Sequence, residues 1–258
     1  MTLTDAIILA VIQGLTEFLP VSSSGHLALA EHLRHMPDPE KNLLFVLILH
    51  GASLLAVFTY YGRRLLDVLK SRRELLYLAL ATLPILAVGA LLGKQIEALQ
   101  SMPKVICGAL IVNAAFLFIS ERFRGDQPIG ETPAWKIFLM GVAQAILIPG
   151  LSRSGRTIGT GWICGIKRED AVRFSFFMSI PAVLAALTWK LWKSRHELGS
   201  QGLPITTLLV SFVICYLLSL ASIRVVEKLA TGRKWLVFSI YCALAGTAAL
   251  IYFFSKPA

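Results

Sequence analysis

Long apolar runs alternate with short, basic polar segments along the whole chain. Charge-free stretches at Leu43 to Tyr61, Leu75 to Gly93, Val105 to Ser120, Leu203 to Ile223 and Trp235 to Phe254 predict helices that cross a membrane, because a hydrocarbon core of ~30 Å takes about 20 helical residues. Phe174 to Trp192 is a sixth such stretch. Its Lys190 lies near one end, where a lysine can snorkel to water. Two further apolar runs are too short to cross. Ala6 to Leu19 carries Glu17 and stops at Pro20, and Trp135 to Ile148 stops at Pro149. Proline removes a backbone donor, so each run predicts a helix that enters the membrane and breaks where the freed backbone lines a cavity instead of facing lipid.

The two breaks resemble each other. Setting Ser22 on Ser152 gives Ser-x-Ser-Gly in both, with Ser23 opposite Arg153, Gly25 opposite Gly155 and His26 opposite Arg156. Upstream, Pro20 and Pro149, and Gln13 and Gln144, agree only with a small shift of register. Each half of the chain then holds one broken hairpin and three spans. An odd number of crossings inverts the second half relative to the first, the plan of many transporters. The expected fold is an all-α integral membrane protein, with six transmembrane helices plus two re-entrant broken helical hairpins in an inverted-topology repeat. Residues 1–258 are expected to form a single membrane domain, with repeat 1 at about 1–121 and repeat 2 at about 134–258.

Composition agrees with a bilayer environment. Hydrophobic residues make up 56% of the chain and charged ones 16%, against about 25% charged in a soluble domain. The net charge of +10 does not imply nucleic acid, because the lysines and arginines lie between the apolar runs, where topology and anionic lipid account for them. If the first hairpin enters from outside, the inside loops take the clusters at Arg63, Arg64, Lys70, Arg72 and Arg73, at Arg122, Arg124 and Lys136, at Lys167, Arg168 and Arg173, and at Arg224, Lys228, Arg233 and Lys234. The outside takes fewer: Arg34, Lys41, Lys94, Lys104, Lys190, Lys193, Arg195 and Lys256. This bias predicts both termini outside. Met1 to Asp5 lacks the basic start of a cleavable signal peptide, so the N-terminus is expected to stay. Cys107, Cys164, Cys215 and Cys242 have no metal-binding spacing and read as small packing residues.

Other polar residues within the spans have plain readings. Asn113 and Thr82 predict hydrogen bonds between helices, and Pro84 and Pro181 predict kinks. Tyr60, Tyr61, Trp192 and Trp235 predict an interfacial aromatic belt. His50 in the first full span reads as a packed helix residue, with a catalytic role as the alternative.

Glu17, Arg153 and Arg156 are different, because a charge at bilayer depth costs at least roughly 2.5 to 3.5 kcal/mol. Two guanidinium groups, several hydroxyls and two helix starts suit a phosphate, which arginine grips in a bidentate fork. Glu17 and His26 are not needed by a passive anion site. They suit proton transfer, or a Mg2+ or Ca2+ ion bridging carboxylate and phosphate oxygens. The combination points to phosphoryl transfer at a membrane.

Gln13-x-x-x-Glu17 followed by Pro20-Val21-Ser22-Ser23-Ser24-Gly25-His26, together with Pro149-Gly150-Leu151-Ser152-Arg153-Ser154-Gly155-Arg156-Thr157, closely resembles the motifs of the undecaprenyl-diphosphate phosphatase, or bacitracin-resistance protein, family. The resemblance covers nearly the whole chain in length and span pattern. It implies hydrolysis of the terminal phosphate of undecaprenyl diphosphate, recycling the carrier lipid of cell-wall synthesis, in the bacterial inner membrane with the site facing the periplasm. It places Glu17 on the family's second acidic position, His26 on its histidine, Ser23 on a serine proposed as nucleophile or substrate ligand, and Ser152, Arg153 and Thr157 on its phosphate-binding motif. The first acidic position is Gln13 here, so a metal site of two carboxylates cannot be assumed. Arg156 falls where the motif is open. Phosphohistidine lipid phosphatases share a Ser-Gly-His loop, but their downstream His and Asp do not follow Ser152-Arg153 here.

The expected site therefore has Glu17, His26, Ser23 and Arg153 as catalytic groups. Gln13, Ser22, Ser24, Gly25, Ser152, Ser154, Arg156 and Thr157 are expected to bind substrate, and Glu17 is the expected ligand of a divalent cation. Ser23 activated by His26, or water activated by Glu17 or His26, is the nucleophile. Expected partners are a polyprenyl diphosphate, the bilayer and a second copy of the chain as a homodimer, with no nucleic acid. A lipid flippase or other inverted-repeat transporter is the alternative function.

Overall fold

The computed structural model describes residues 1–34, 36, 43–193, 203–232 and 234–255; Lys41, Arg195, Arg233 and Lys256 of the charge pattern lie outside them. Among the described residues, ten α-helices follow in order: α1 (Leu3–Thr16), α2 (Ser23–Arg34), α3 (Leu43–Lys70), α4 (Arg72–Gln100), α5 (Pro103–Ser120), α6 (Ala134–Ala145), α7 (Arg153–Ile163), α8 (Arg168–Lys193), α9 (Ile205–Thr231) and α10 (Leu236–Ser255). Six of them, α3, α4, α5, α8, α9 and α10, are long and apolar enough to cross a membrane. They match the six predicted spans and mostly run past them. Thus α3 continues through Arg63 and Arg64 to Lys70, because a helix crossing into water loses nothing by carrying charges there. Local chemistry sets several boundaries. Thr2 and Asp5 form a capping box at the start of α1, Ser71 caps α4 through the Glu74 amide, and Pro103 opens α5.

The four short helices form two hairpins, α1 with α2 and α6 with α7. At 14 residues α1 is about 21 Å long; α2, α6 and α7 are shorter, with 12, 12 and 11 residues. The hairpins are embedded in the opposite halves of the chain. Helix α1 packs on α9, α6 packs on α4, and α5 lies along α10. Close approach depends on small residues. A Cβ on Gly14 would come within 2.7 Å of the Cys215 carbonyl oxygen, and one on Gly141 within 2.6 Å of that of Ala81. Serines stitch the same seams. Ser222 donates to the Gly14 carbonyl at 3.1 Å, Ser219 to Ser53 at 3.3 Å and Ser239 to the Ala114 carbonyl at 2.7 Å.

Large apolar side chains point outward along α4, α9 and α10, including Leu91, Leu209 and Leu244. Such a band is what a hydrocarbon solvent requires. Of the belt residues, Trp192 is exposed, but Trp235 is fully buried, edge-on to Trp162 with ring centres 4.7 Å apart. Tyr61 is also buried, and both it and Tyr60 donate to the Glu227 carboxylate. Thr82 bonds the Leu78 carbonyl of its own helix at 2.6 Å, not a neighbouring helix. Pro84 and Pro181 lie inside α4 and α8. Cys107, Cys215 and Cys242 are buried, Cys164 is partly so, and all four are free thiols.

The α6 to α4 seam gives a direct test. Gly141→Val should lower the midpoint of thermal unfolding in detergent, by overpacking that costs about 1–3 kcal/mol. Gly89→Val in α4 should leave it nearly unchanged, since a Cβ there meets nothing within 4 Å.

Candidate active site

The site begins where the two hairpins turn. Residue 22 turns the first chain into α2 with a φ of 72°, and Gly150 turns the second with a φ of 99°. The Ser22 hydroxyl accepts from the Gly25 amide of its own loop at 3.3 Å and from the Gly150 amide of the other at 3.0 Å. The loops touch so closely that a Cβ on Gly25 would lie 2.9 Å from the Gly150 backbone. Asn113 of α5 closes the junction. Its amide donates to the Pro20 carbonyl at 2.8 Å, and its carbonyl accepts from the Ser152 amide at 3.0 Å. The sequence pointed only to a helix–helix bond there. Asn113 in fact holds both breaks together, each backbone group finding the partner that lipid cannot supply.

Glu17 lies at the centre. One carboxylate oxygen accepts from the Ser23 hydroxyl at 2.7 Å and from the Gln13 amide at 3.1 Å, while the other accepts from an Arg153 guanidinium nitrogen at 2.9 Å. Ser23 and Arg153, from opposite halves of the chain, thus share one carboxylate. The side chains of Glu17 and Arg153 are only 10% and 16% exposed. Three buried polar atoms here have no partner among the described residues: Oε1 of Gln13, Nη1 of Arg153 and Nη1 of Arg156. Arg156 is buried, donates through Nε to the Ser152 carbonyl at 3.2 Å, and lies within electrostatic reach of Arg153. Arg153 therefore has a carboxylate partner, while Arg156 stands beside it with a backbone carbonyl alone. An uncompensated cation in a low dielectric is costly, and an anionic ligand would offset it.

The other expected binding residues serve the frame. Ser152 caps α7 through the Gly155 amide and meets the Ser154 hydroxyl at 3.0 Å; Ser154 donates to the Leu19 carbonyl at 3.2 Å. Thr157 shares a hydrogen bond with Ser175 and bonds its own helix. All three are buried, while Ser24 is exposed beside Ser22. His26 does not meet Ser23. Its Nδ1 bonds the Ser22 carbonyl at 2.8 Å and its Nε2 the Tyr241 hydroxyl at 2.9 Å, with the rings stacked. The partner of Ser23 is Glu17, because six residues of turn fold the carboxylate back over the start of α2.

A cavity of about 230 Å3 adjoins these groups, lined by Gln13, Ser23, Ser24 and His50 and by apolar residues such as Leu27 and Phe45. Glu17, Arg153 and His26 are outside its lining, Glu17 being covered by its Ser23 and Gln13 contacts. His50 donates from Nδ1 to the Val46 carbonyl, 3.1 Å away. Its other ring nitrogen has no hydrogen-bond partner among the described residues, and the ring lines the cavity beside Gln13 and Ser23. The bond to its own helix agrees with the packed-residue reading, while its place on the cavity wall keeps the catalytic alternative open.

Glu17 does not fit the role of ligand to a resident metal. Both its oxygens accept hydrogen bonds, one from a cation, and residue 13 offers an amide where a second carboxylate would stand. No group of three His, Cys, Asp or Glu residues placed to hold a metal occurs among the described residues.

Removing the junction should be measurable. Asn113→Ala leaves the Pro20 carbonyl and the Ser152 amide without their partner, at about 1–3 kcal/mol each. The variant should unfold at a clearly lower temperature, whereas Val112→Ala, at an exposed neighbour, should not.

The description of the bacitracin resistance protein BacA family matches residues 6–248. Similar proteins named undecaprenyl-diphosphatase include one from Korarchaeum cryptofilum, 33% identical over 97% of this chain and 99% of its own. Another, from Thermosipho africanus, is 35% identical over 96% and 98%, and a third, from Novosphingobium aromaticivorans, is 35% identical over 96% and 97%. With the paired loops and their buried Glu17–Arg153 contact already in place, these likenesses over the full length show that the chain belongs to the bacitracin resistance protein BacA family.

Proposed function

We propose that this protein is a membrane phosphatase that hydrolyses the terminal phosphate of undecaprenyl diphosphate, returning undecaprenyl phosphate to cell-wall synthesis. The observation that carries this is the Glu17 carboxylate holding a serine hydroxyl and a guanidinium beside an apolar cavity. The relatives' name points to the same substrate and does not favour the transporter alternative.

In this reading the diphosphate takes the free Nη1 of Arg153 and the first-turn amides of α2. The start of the prenyl tail lies among Leu27, Phe45 and Leu49, and the rest stays in lipid. Glu17 accepts the proton of Ser23 as the Ser23 oxygen bonds to the terminal phosphorus and the bond from phosphorus to the bridging oxygen breaks. The prenyl monophosphate leaves. Water then attacks the phosphoserine, releasing inorganic phosphate, and Glu17 returns a proton to Ser23. The alternative keeps Glu17 as base but uses water directly. His50 contacts the diphosphate from the cavity wall, and His26 fixes the Ser22 turn. The residues around Glu17 would not hold a divalent cation by themselves; a Mg2+ or Ca2+ ion would come with the substrate and would offset the diphosphate charge.

The membrane is the bacterial inner membrane and the site faces the periplasm, a placement supported by the basic residues gathered at the opposite end of the bundle. The two halves form the inverted repeat, which the exchange of hairpins between α9 and α4 supports.

Purified protein should release inorganic phosphate from a prenyl diphosphate in detergent, where no transport can occur, and lose that activity on chelation of divalent cations. Ser23→Ala should abolish release if serine is the nucleophile; residual turnover at a few per cent would establish water attack. Arg153→Lys should be strongly impaired, because an ammonium cannot form the fork, and Arg156→Lys should be milder. His50→Gln should slow turnover by about 100-fold with the fold intact. Wild-type rates in this variant would remove His50 from the chemistry.

A further inference from the structure

At the end of the bundle opposite the Lys190 side of the first cavity, a second cavity of about 330 Å3 opens between α3, the start of α8 and the end of α9. Tyr60, Glu169, Arg173, Arg224, Glu227 and Lys228 line it. None belongs to the hairpin loops. Its depth follows from the helices. An uncharged run from Phe174 to Trp189 separates Arg173 from Lys190, which lines the first cavity; that is roughly 25 Å of helix, near the thickness of a hydrocarbon core. Arg224 and Lys228 likewise follow the charge-free part of α9. The three cations thus stand where two spans leave the hydrocarbon, at the level of lipid headgroups.

The acids of this cavity are already engaged. Glu227 accepts one hydrogen bond on each carboxylate oxygen, from Tyr60 and from Tyr61. Glu169 lies 3.4 Å from Lys167. The cations are held more loosely. Arg173 reaches Asp170 only at 3.9 Å with 41% of its side chain exposed, Arg224 lies 5.9 Å from the Tyr60 ring centre, and Lys228 has no acidic partner among the described residues. A charge that only sets topology needs to face water. It does not need to converge with two others, from a second helix, on one cavity.

We propose that this cavity binds the phosphate group of an anionic phospholipid in the leaflet opposite the active site. Arg173, Arg224 and Lys228 hold the phosphodiester oxygens, and the acyl chains lie along the outward apolar faces of α8 and α9. Three cations against two committed carboxylates leave one positive charge in excess, which matches a monoanionic diester. Free phosphate offers the same oxygens but no chains.

The test is native mass spectrometry of the full-length protein exchanged into dioleoylphosphatidylglycerol, dioleoylphosphatidylcholine or inorganic phosphate. The wild type should retain phosphatidylglycerol over phosphatidylcholine. Arg173→Gln with Arg224→Gln and Lys228→Gln should weaken that retention by about 10- to 100-fold. Arg63→Gln with Arg64→Gln and Arg72→Gln, which removes the same charge elsewhere at this end, should keep it. Arg224→Gln alone should weaken it severalfold, and serves if the triple variant does not fold. Equal retention of both lipids, equal loss in the two triple variants, or no loss in Arg224→Gln would overturn the site. Displacement of phosphatidylglycerol by millimolar phosphate would overturn its assignment to a lipid.

Discussion

Two short helices, α1 and α6, break at polar loops inside the bundle, where backbone and polar side chains need partners, and this protein settles both ends by joining them. The contact between Glu17 and Arg153, at 2.9 Å, ties a carboxylate from the first hairpin to a guanidinium from the second. Ser22 and Asn113 then supply the backbone of each loop with partners from the other. A buried ion pair of this kind adds little net stability, because desolvation offsets much of the attraction. Breaking it leaves one charge stranded, so the pair enforces register. If either hairpin were misplaced, the other's charge would be unpaired in the protein interior.

The same economy explains why the site is suited to an anion. Among the described residues, Arg156 is buried without an acid and Arg153 keeps one nitrogen free after meeting Glu17. Frame and site are made from the same loops but by different atoms. The hydroxyls of Ser152, Ser154 and Thr157 hold α7 in place, while Ser23, Gln13 and His50 face the cavity. Precise placement of a few groups is what phosphoryl transfer demands, since positioning and charge stabilisation supply most of its catalysis.

Where α5 ends and α8 begins, cohesion comes from charge and aromatic packing. Arg168 meets Glu121 at 3.1 Å, donates to the carbonyls of Glu121, Phe123 and Ala230, and lies 4.2 Å from the Trp162 ring centre. This one side chain draws the end of α5, the start of α8 and the end of α9 together. Trp235 is drawn into the same cluster, which accounts for its burial where the sequence suggested a belt.

Much of this was legible along the chain because it is local. Length and charge-free composition define six spans, and the short runs ending at Pro20 and Pro149 mark the two breaks. Glu17 and Arg153 stand out because a charge at that depth has to be explained. What sequence could not supply is which partner each group finds across the chain. Asn113 joins two loops, Tyr241 occupies His26, Ser23 turns to Glu17, and Tyr60 and Tyr61 share Glu227. Hydrophobic period fixes which residues enter the membrane. Which polar atoms then meet is decided by how helices distant in sequence pack, and a hydroxyl that holds a loop has the same letter as one that attacks phosphorus.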